Sequence, residues 1–216
     1  MAKATKNGLV IFGGHRGMGK RDIVVQLSRS SKNLHTVSLW SLMRRVSREN
    51  KFDLAHSTTS EIREKLLPHV AGEIARLRET KVVLLLAQYL YPEITRVNGK
   101  LQTTGHNLVS LVESLPASAY VIGTSSVAHA VEDALSRPTN ETGIPKRLLA
   151  KSGERSSLRR FVETRMTLEN GAAKWLAQDK KKQLHELDLS GLSPDRIKTE
   201  LHLLLRPHGF SPQRTF

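Results

Sequence analysis

Apolar residues along this chain fall into two rhythms, short unbroken runs and helical spacing, and the two alternate. Leu9, Val10, Ile11 and Phe12 form a continuous run, the pattern of a strand covered on both faces. Asp22 to Ser30 places Ile23, Val24 and Leu27 at helical spacing and ends in Ser30, Ser31 and Asn33. Leu34 to Leu39 alternates as a second strand. Trp40 to Glu49 returns to the helical rhythm, with Leu42 and Val46 on one face and Arg44, Arg45 and Arg48 on another. Thr58 to Arg78 is a long helical pattern. It opens on Ser and Thr residues ahead of Glu61, a capping arrangement, and carries Pro68, which is expected to kink or divide it.

Lys81 to Ala87 (KVVLLLA) is almost wholly apolar and predicts a central strand of a parallel sheet. Leu90 to Asn107 contains Pro92, Asn98-Gly99 and Gly105 and reads as a turn-rich connection, followed by a helix over Leu108 to Leu115. Ala119 to Gly123 predicts a fourth strand, Val127 to Ser136 a helix, and Ser157 to Gln178 a long helix. A fifth strand spans Leu184 to Leu189. Ser193-Pro194-Asp195 sets a cap and a first-turn proline for a last helix, and His208 to Phe216 is expected to fray. Trp40 and Trp175 sit among apolar residues and are expected in the core. Five strands separated by helices predict a parallel sheet with helices on both faces, whose ligands gather at the C-terminal strand ends.

Where the first strand meets the first helix, Gly14, Gly19 and Lys20 match the G-x-x-x-x-G-K core of a phosphate-binding loop. Glycines let successive N–H groups face one point, and the helix start adds partial positive charge. Lys20 reaches the outer phosphates. The loop residues Gly14, His15, Arg16, Gly17, Met18, Gly19, Lys20, Arg21 and Asp22 are therefore the candidate nucleotide contacts, with ATP as the expected ligand. Arg21 and Asp22 stand where such a loop carries a hydroxyl that helps hold magnesium.

At 216 residues the chain suits one domain, taken as residues 1–207 with a basic lid-like insertion around 137–160 and a tail at 208–216. It has no Cys, which excludes disulfides, zinc-finger ligands and thiol chemistry. The nine histidines show no metal-ligand spacing, so no metal site is predicted. The polar N-terminus and the short apolar runs predict a cytoplasmic protein with no membrane partner. The net charge is +14, from 34 Lys and Arg against 20 Asp and Glu. Such an excess favours a polyanionic partner, with RNA or a ribonucleoprotein as one candidate and a solvated basic surface as the plain alternative. Between Arg137 and Lys182 there are 12 basic and five acidic residues. Arg137, Arg147, Arg155 and Arg159 are suited either to closing over a polyphosphate or to gripping an RNA backbone. Lys180 to Lys182 is read as a solvated basic turn.

In its order of pieces the chain resembles the adenylate kinase family, most closely the archaeal type, over nearly its whole length. GHRGMGKRD stands where that family has its phosphate loop. SLWSLMR (Ser38 to Arg44) resembles the segment that receives the nucleoside monophosphate, and ITRVNGKLQTTGHN resembles the archaeal segment after the central strand. The resemblance implies a P-loop NTPase-like α/β three-layer sandwich with about five parallel strands. It also implies transfer of a phosphoryl group from ATP to a nucleoside monophosphate, or ATP hydrolysis. Lys20 and Arg165 fall on catalytic positions and Arg44 on a substrate-phosphate position; Arg137 is taken with Arg44 as a substrate contact. The departures lie at catalytic positions. Arg16 replaces the loop proline, Leu39 and Ser41 replace a threonine and an aspartate, and Gln88 stands where the family has the strand-end aspartate that orients magnesium. Magnesium therefore lacks two usual ligands, and a degenerate kinase-fold protein that binds RNA is the second reading.

Overall fold

Alternate residues of the apolar strands point to opposite faces, and both faces are covered. The computed structural model describes residues 7–14, 20, 24, 27–28, 31–107, 111–136, 155–190 and 192–211. Strands β1 (Leu9–Gly14), β2 (Leu34–Ser38), β3 (Val82–Leu86), β6 (Ala119–Thr124) and β7 (Gln183–Asp188) form one sheet in the order β2-β3-β1-β6-β7. Every pairing in it is parallel. β4 (Tyr91–Val97) and β5 (Lys100–Asn107) form a separate antiparallel pair.

Leu9 and Ile11, Val83 and Leu85, Tyr120 and Ile122 face one layer of helices. That layer holds α1 (Leu39–Glu49), α2 (Thr59–Glu61, Ile62–Leu66 and Leu67–Leu77) and α4 (Arg155–Asp179). Val10 and Phe12, Val82 and Leu84, and Val121 face the other layer. There they meet Val24 and Leu27 of the helix after the loop, and Ile197, Leu201 and Leu205 of α5 (Pro194–Leu205). A third cluster, from Ala130 and Val131 of α3 (Val127–Ser136) with Leu158 and Val162, fastens the start of α4. The result is the three-layer α/β sandwich of a P-loop NTPase-like fold, with β1 central.

Helix α2 runs as Thr59–Glu61, a π turn Ile62–Leu66, and Leu67–Leu77. Thr58 and Glu61 form the expected capping box. Pro68 lacks the N–H that would bond back into the preceding turn. The helix absorbs the change as a π turn closed by the Leu67 N–H on the Ile62 carbonyl, so it is neither divided nor ended.

The expected turn-rich connection is a β-hairpin. Asn98 and Gly99 both have positive φ (49° and 77°), the two-residue turn whose twist suits antiparallel strands. The Ile94 N–H donates to Thr59 Oγ1 (3.0 Å) and Arg96 donates to the His56 carbonyl (2.6 Å), so the hairpin is fixed to the start of α2. Leu111 to Leu115 is a turn, with the Leu115 N–H on the Val112 carbonyl (3.0 Å), in place of the expected helix. Residues 108–110 lie outside the described residues.

The segment from His208, expected to fray, is ordered as far as Ser211. Gly209 takes a left-handed φ of 96°, and Phe210 is buried against His202, ring centroids 4.8 Å apart. Gly8 N–H donates to the His208 carbonyl (2.9 Å) and the Asn33 amide to the Gly209 carbonyl (3.3 Å). This clasp closes the N-terminal end of the sheet, opposite the loop. Residues 212–216 lie outside the described residues.

Candidate functional site

Two glycines end the central strand, and each is required by a close neighbour. A Cβ on Gly13 would lie 2.2 Å from the ring of Tyr89, and one on Gly14, whose φ is 125°, 2.6 Å from the Gly123 carbonyl. β1 thus delivers the chain to the sheet's C-terminal rim at a backbone angle that L side chains rarely adopt. Lys20, the next described residue of the loop after Gly14, donates from Nζ to the Gly14 carbonyl at 2.7 Å. The ammonium is held beside the strand end. His15, Arg16, Gly17, Met18, Gly19, Arg21 and Asp22 lie outside the described residues, as do Arg137 and Arg147.

The chain leaving β3 crosses this rim through Ala87, Gln88, Tyr89 and Leu90. Tyr89 is fully buried. Its hydroxyl lies 2.9 Å from the Ile11 carbonyl and 2.7 Å from the Val121 carbonyl, sharing one proton between them, and its ring meets Tyr120 edge-on. Burial pushes its phenol well above the ordinary range.

Sequence reasoning missed Glu169. It is 1% exposed and sits one helical turn beyond Arg165 on α4. Its Oε2 accepts from the Tyr89 N–H (2.9 Å) and its Oε1 from the Leu90 N–H (3.4 Å). Burial pushes this carboxyl upward, opposed by the Tyr89 N–H and by the charges of Lys20 and Arg165. Arg165 is half-buried, and Arg159 and Arg160 are exposed. A pocket of about 100 Å³ lies beside Glu169, lined by Ile122 to Ser125, Met166 and Asn170. One acidic residue in a charged helix carries no local signal; its burial follows from the β3 crossing above it.

A second, larger space opens along α1. A cleft of about 880 Å³ is lined by Trp40, Ser41, Arg44, Ser47, Arg48, Phe52 and Asp53, with Leu54 and Ala55 behind them. Ser38 caps α1 by accepting from the Ser41 N–H, so the helix begins at the rim and the cleft begins with it. Arg44 lines this cleft. Its neighbour Arg45 is instead bound to Glu73 at 2.8 Å. Trp40 is 51% exposed and Trp175 42%, so neither is the core residue expected. At position 40 the apolar face of α1 is carried by Leu39, Leu42, Met43 and Val46, which leaves the indole to the cleft. Lys180 of the basic turn is paired with Asp179 (3.2 Å) and Glu113 (3.7 Å).

The described residues do not fit a magnesium ion held by protein ligands. Gln88 offers only a neutral amide at the strand end, and both Glu169 oxygens accept peptide N–H groups. No group of three or more metal-ligating side chains occurs among the described residues. Among them, no helix is long and apolar enough to cross a membrane.

No family model matches the chain, and no curated protein does. Solved structures do. Thymidylate kinase from Candida albicans is similar at 13% identity and a TM-score of 0.53, over 98% of this chain and 99% of that one. An uncharacterised protein from Eubacterium ventriosum has 9% identity and a TM-score of 0.47, over 94% and 99%. A sugar kinase from Janibacter has 14% and 0.48, over 94% and 96%. At such identities the likeness to the thymidylate kinase is one of fold, and it agrees with the strand order: the chain has a P-loop NTPase-like α/β fold.

Proposed function

We propose that the chain binds ATP at the loop and passes its terminal phosphoryl group to a nucleoside monophosphate held in the cleft along α1, as an adenylate kinase-like enzyme. The observation that carries this is the Lys20 ammonium, fixed at the end of the central strand, where a phosphate loop places its lysine. In this reading the loop amides from Gly14 to Asp22 cradle the triphosphate, Lys20 contacts the outer phosphates, and Arg165 meets the transferring group. Arg44 holds the acceptor phosphate in a cleft that offers the Trp40 and Phe52 rings to a base, and Arg137 is a further substrate contact. Fixed cations aimed at developing phosphoryl charge are the main source of catalysis in such transfers. In this reading Lys20, Arg44 and Arg165 supply such cations, and magnesium would come with ATP rather than on the usual protein ligands.

A titration with a fluorescent ATP analogue, followed by a coupled assay with AMP, tests the reading. Lys20→Ala is expected to weaken ATP at least about tenfold, some 1.4 kcal/mol. Arg44→Ala is expected to raise the KM for the monophosphate while leaving ATP affinity in place. Equal ATP binding by wild type and Lys20→Ala refutes the proposal.

A further inference from the structure

The chain that leaves β3 and the helix that carries Arg165 are joined by one buried carboxylate. We propose that Glu169 is the positioning residue of the triphosphate site, a fixed buried anion that Lys20 and Arg165 share with incoming phosphates, so that polyphosphate binding draws a proton onto Glu169. The inference rests on the nucleotide reading above.

Three observations place it. The carboxylate cannot swing away, because each oxygen accepts a peptide N–H from the rim, Tyr89 at 2.9 Å and Leu90 at 3.4 Å, and the side chain is 1% exposed. The ionisable groups that face it among the described residues are Lys20 from the loop helix, Arg165 from its own helix, and the Tyr89 phenol from the β3 crossing. β6 contributes only the uncharged residues Ile122, Gly123 and Thr124 to the adjoining pocket, and Ser125 follows them. Finally, Lys20 is tied to Gly14, and Gly14 pairs with Gly123 of that pocket wall, so the loop lysine and the carboxylate belong to one rim.

The physics then runs in one direction. A buried carboxylate stays ionised only while N–H donors and nearby cations offset the loss of water. Phosphates that engage Lys20 and Arg165 take up part of that cationic field and add their own negative charge. Both effects favour the protonated carboxyl, which is already the form that burial favours. Two cations are thereby kept at the site without a ligand, and part of the phosphate charge is answered by a proton.

The Tyr89 amide reports the charge of the carboxylate it donates to. In ¹⁵N-labelled wild-type protein, its shift is followed from about pH 5 to 8.5 with and without saturating ATP. The midpoint is expected to rise by at least about half a pH unit, a threefold gain in proton affinity. In Glu169→Gln the transition is expected to vanish, with ATP bound at least as tightly as by wild type and with a flatter pH dependence. A Tyr89 transition that is absent, unmoved or lowered while ATP is bound overturns the proposal and leaves the nucleotide reading standing. The same holds if Glu169→Gln merely lowers Tm and keeps the wild-type pH profile. The wild-type measurement decides the matter even if that variant fails to fold. Failure of wild type to bind ATP at any pH sinks both.

Discussion

Replacing Gly13 by Ala inserts one methyl group where the structure has a tyrosine ring. The new Cβ would sit 2.2 Å from Cε2, 2.4 Å from Cδ2 and 2.9 Å from Cζ of Tyr89, so the ring would have to withdraw by more than about 1 Å to reach ordinary contact. It is poorly placed to do so. It is fully buried, its hydroxyl is shared by the Ile11 and Val121 carbonyls, and its own N–H is held by Glu169. Overpacking of this kind costs about 1 to 3 kcal/mol, and displacing the hydroxyl adds about 0.5 to 1.5 kcal/mol. The sum, about 1.5 to 4.5 kcal/mol, corresponds to a fall in Tm of roughly 3 to 18 °C for a chain of this size. Urea and thermal unfolding of Gly13→Ala, Tyr89→Leu and the double variant make the test. Tyr89→Leu removes the ring, so the added methyl should then be tolerated, and the double variant should be less destabilised than the two singles together by at least about 1 kcal/mol. Gly13→Ala melting within about 1 °C of wild type, or strict additivity, refutes the reasoning.

Two further outcomes are expected. Glu73 is held down to about 2 chiefly by its bond to Arg76 and then by Arg45, with contacts of 2.8 to 2.9 Å. Because the folded value lies below the ordinary 4.5, this stability is present above that pH and is lost as pH falls toward 2. The full shift would be worth about 3 kcal/mol, and solvent around both guanidinium groups reduces it to about 1 to 2 kcal/mol. Glu73→Gln should therefore flatten the acid limb of a stability curve measured by urea unfolding from pH 2 to 7, and an unchanged limb counts against it. AMP titrated into the protein should quench Trp40 emission to saturation over the background of Trp175, and Trp40→Phe should abolish the change; no quenching in wild type removes AMP from the cleft.

The sheet was legible because its strands are apolar runs too short and too unbroken to be anything but covered strands, as in Leu9 to Phe12 and Val82 to Leu86. The end of α5 was legible less well. Phe210 lies beyond a proline and a glycine, and only the groove beside His202 gives it a place to bury. The hairpin carried its signal in Asn98-Gly99, yet Pro92 and Gly105 read as breakers. Gly105 lies opposite Glu93, beside the register shift between Glu93 and Ile94, where an irregular backbone is accommodated. Both tryptophans were misjudged because helical spacing locates a face and does not say how wide that face is. At the site, Gly14, Lys20 and the strand-to-helix junction were visible as a local motif. Glu169 was not, since its partners Tyr89 and Leu90 are about 80 residues away in sequence.

The clasp between Gly8 and His208 has a bearing on how the molecule is made. Those two residues are 200 positions apart, and at about 5 to 20 residues per second of synthesis the strand that leads into the loop waits on the order of 10 to 40 s for its last partner to leave the ribosome. Throughout that interval Leu9 to Phe12 is an apolar segment with an incomplete sheet around it, a natural target for a holding chaperone. The earliest piece of the triphosphate site to be translated is thus among the latest to be locked in place.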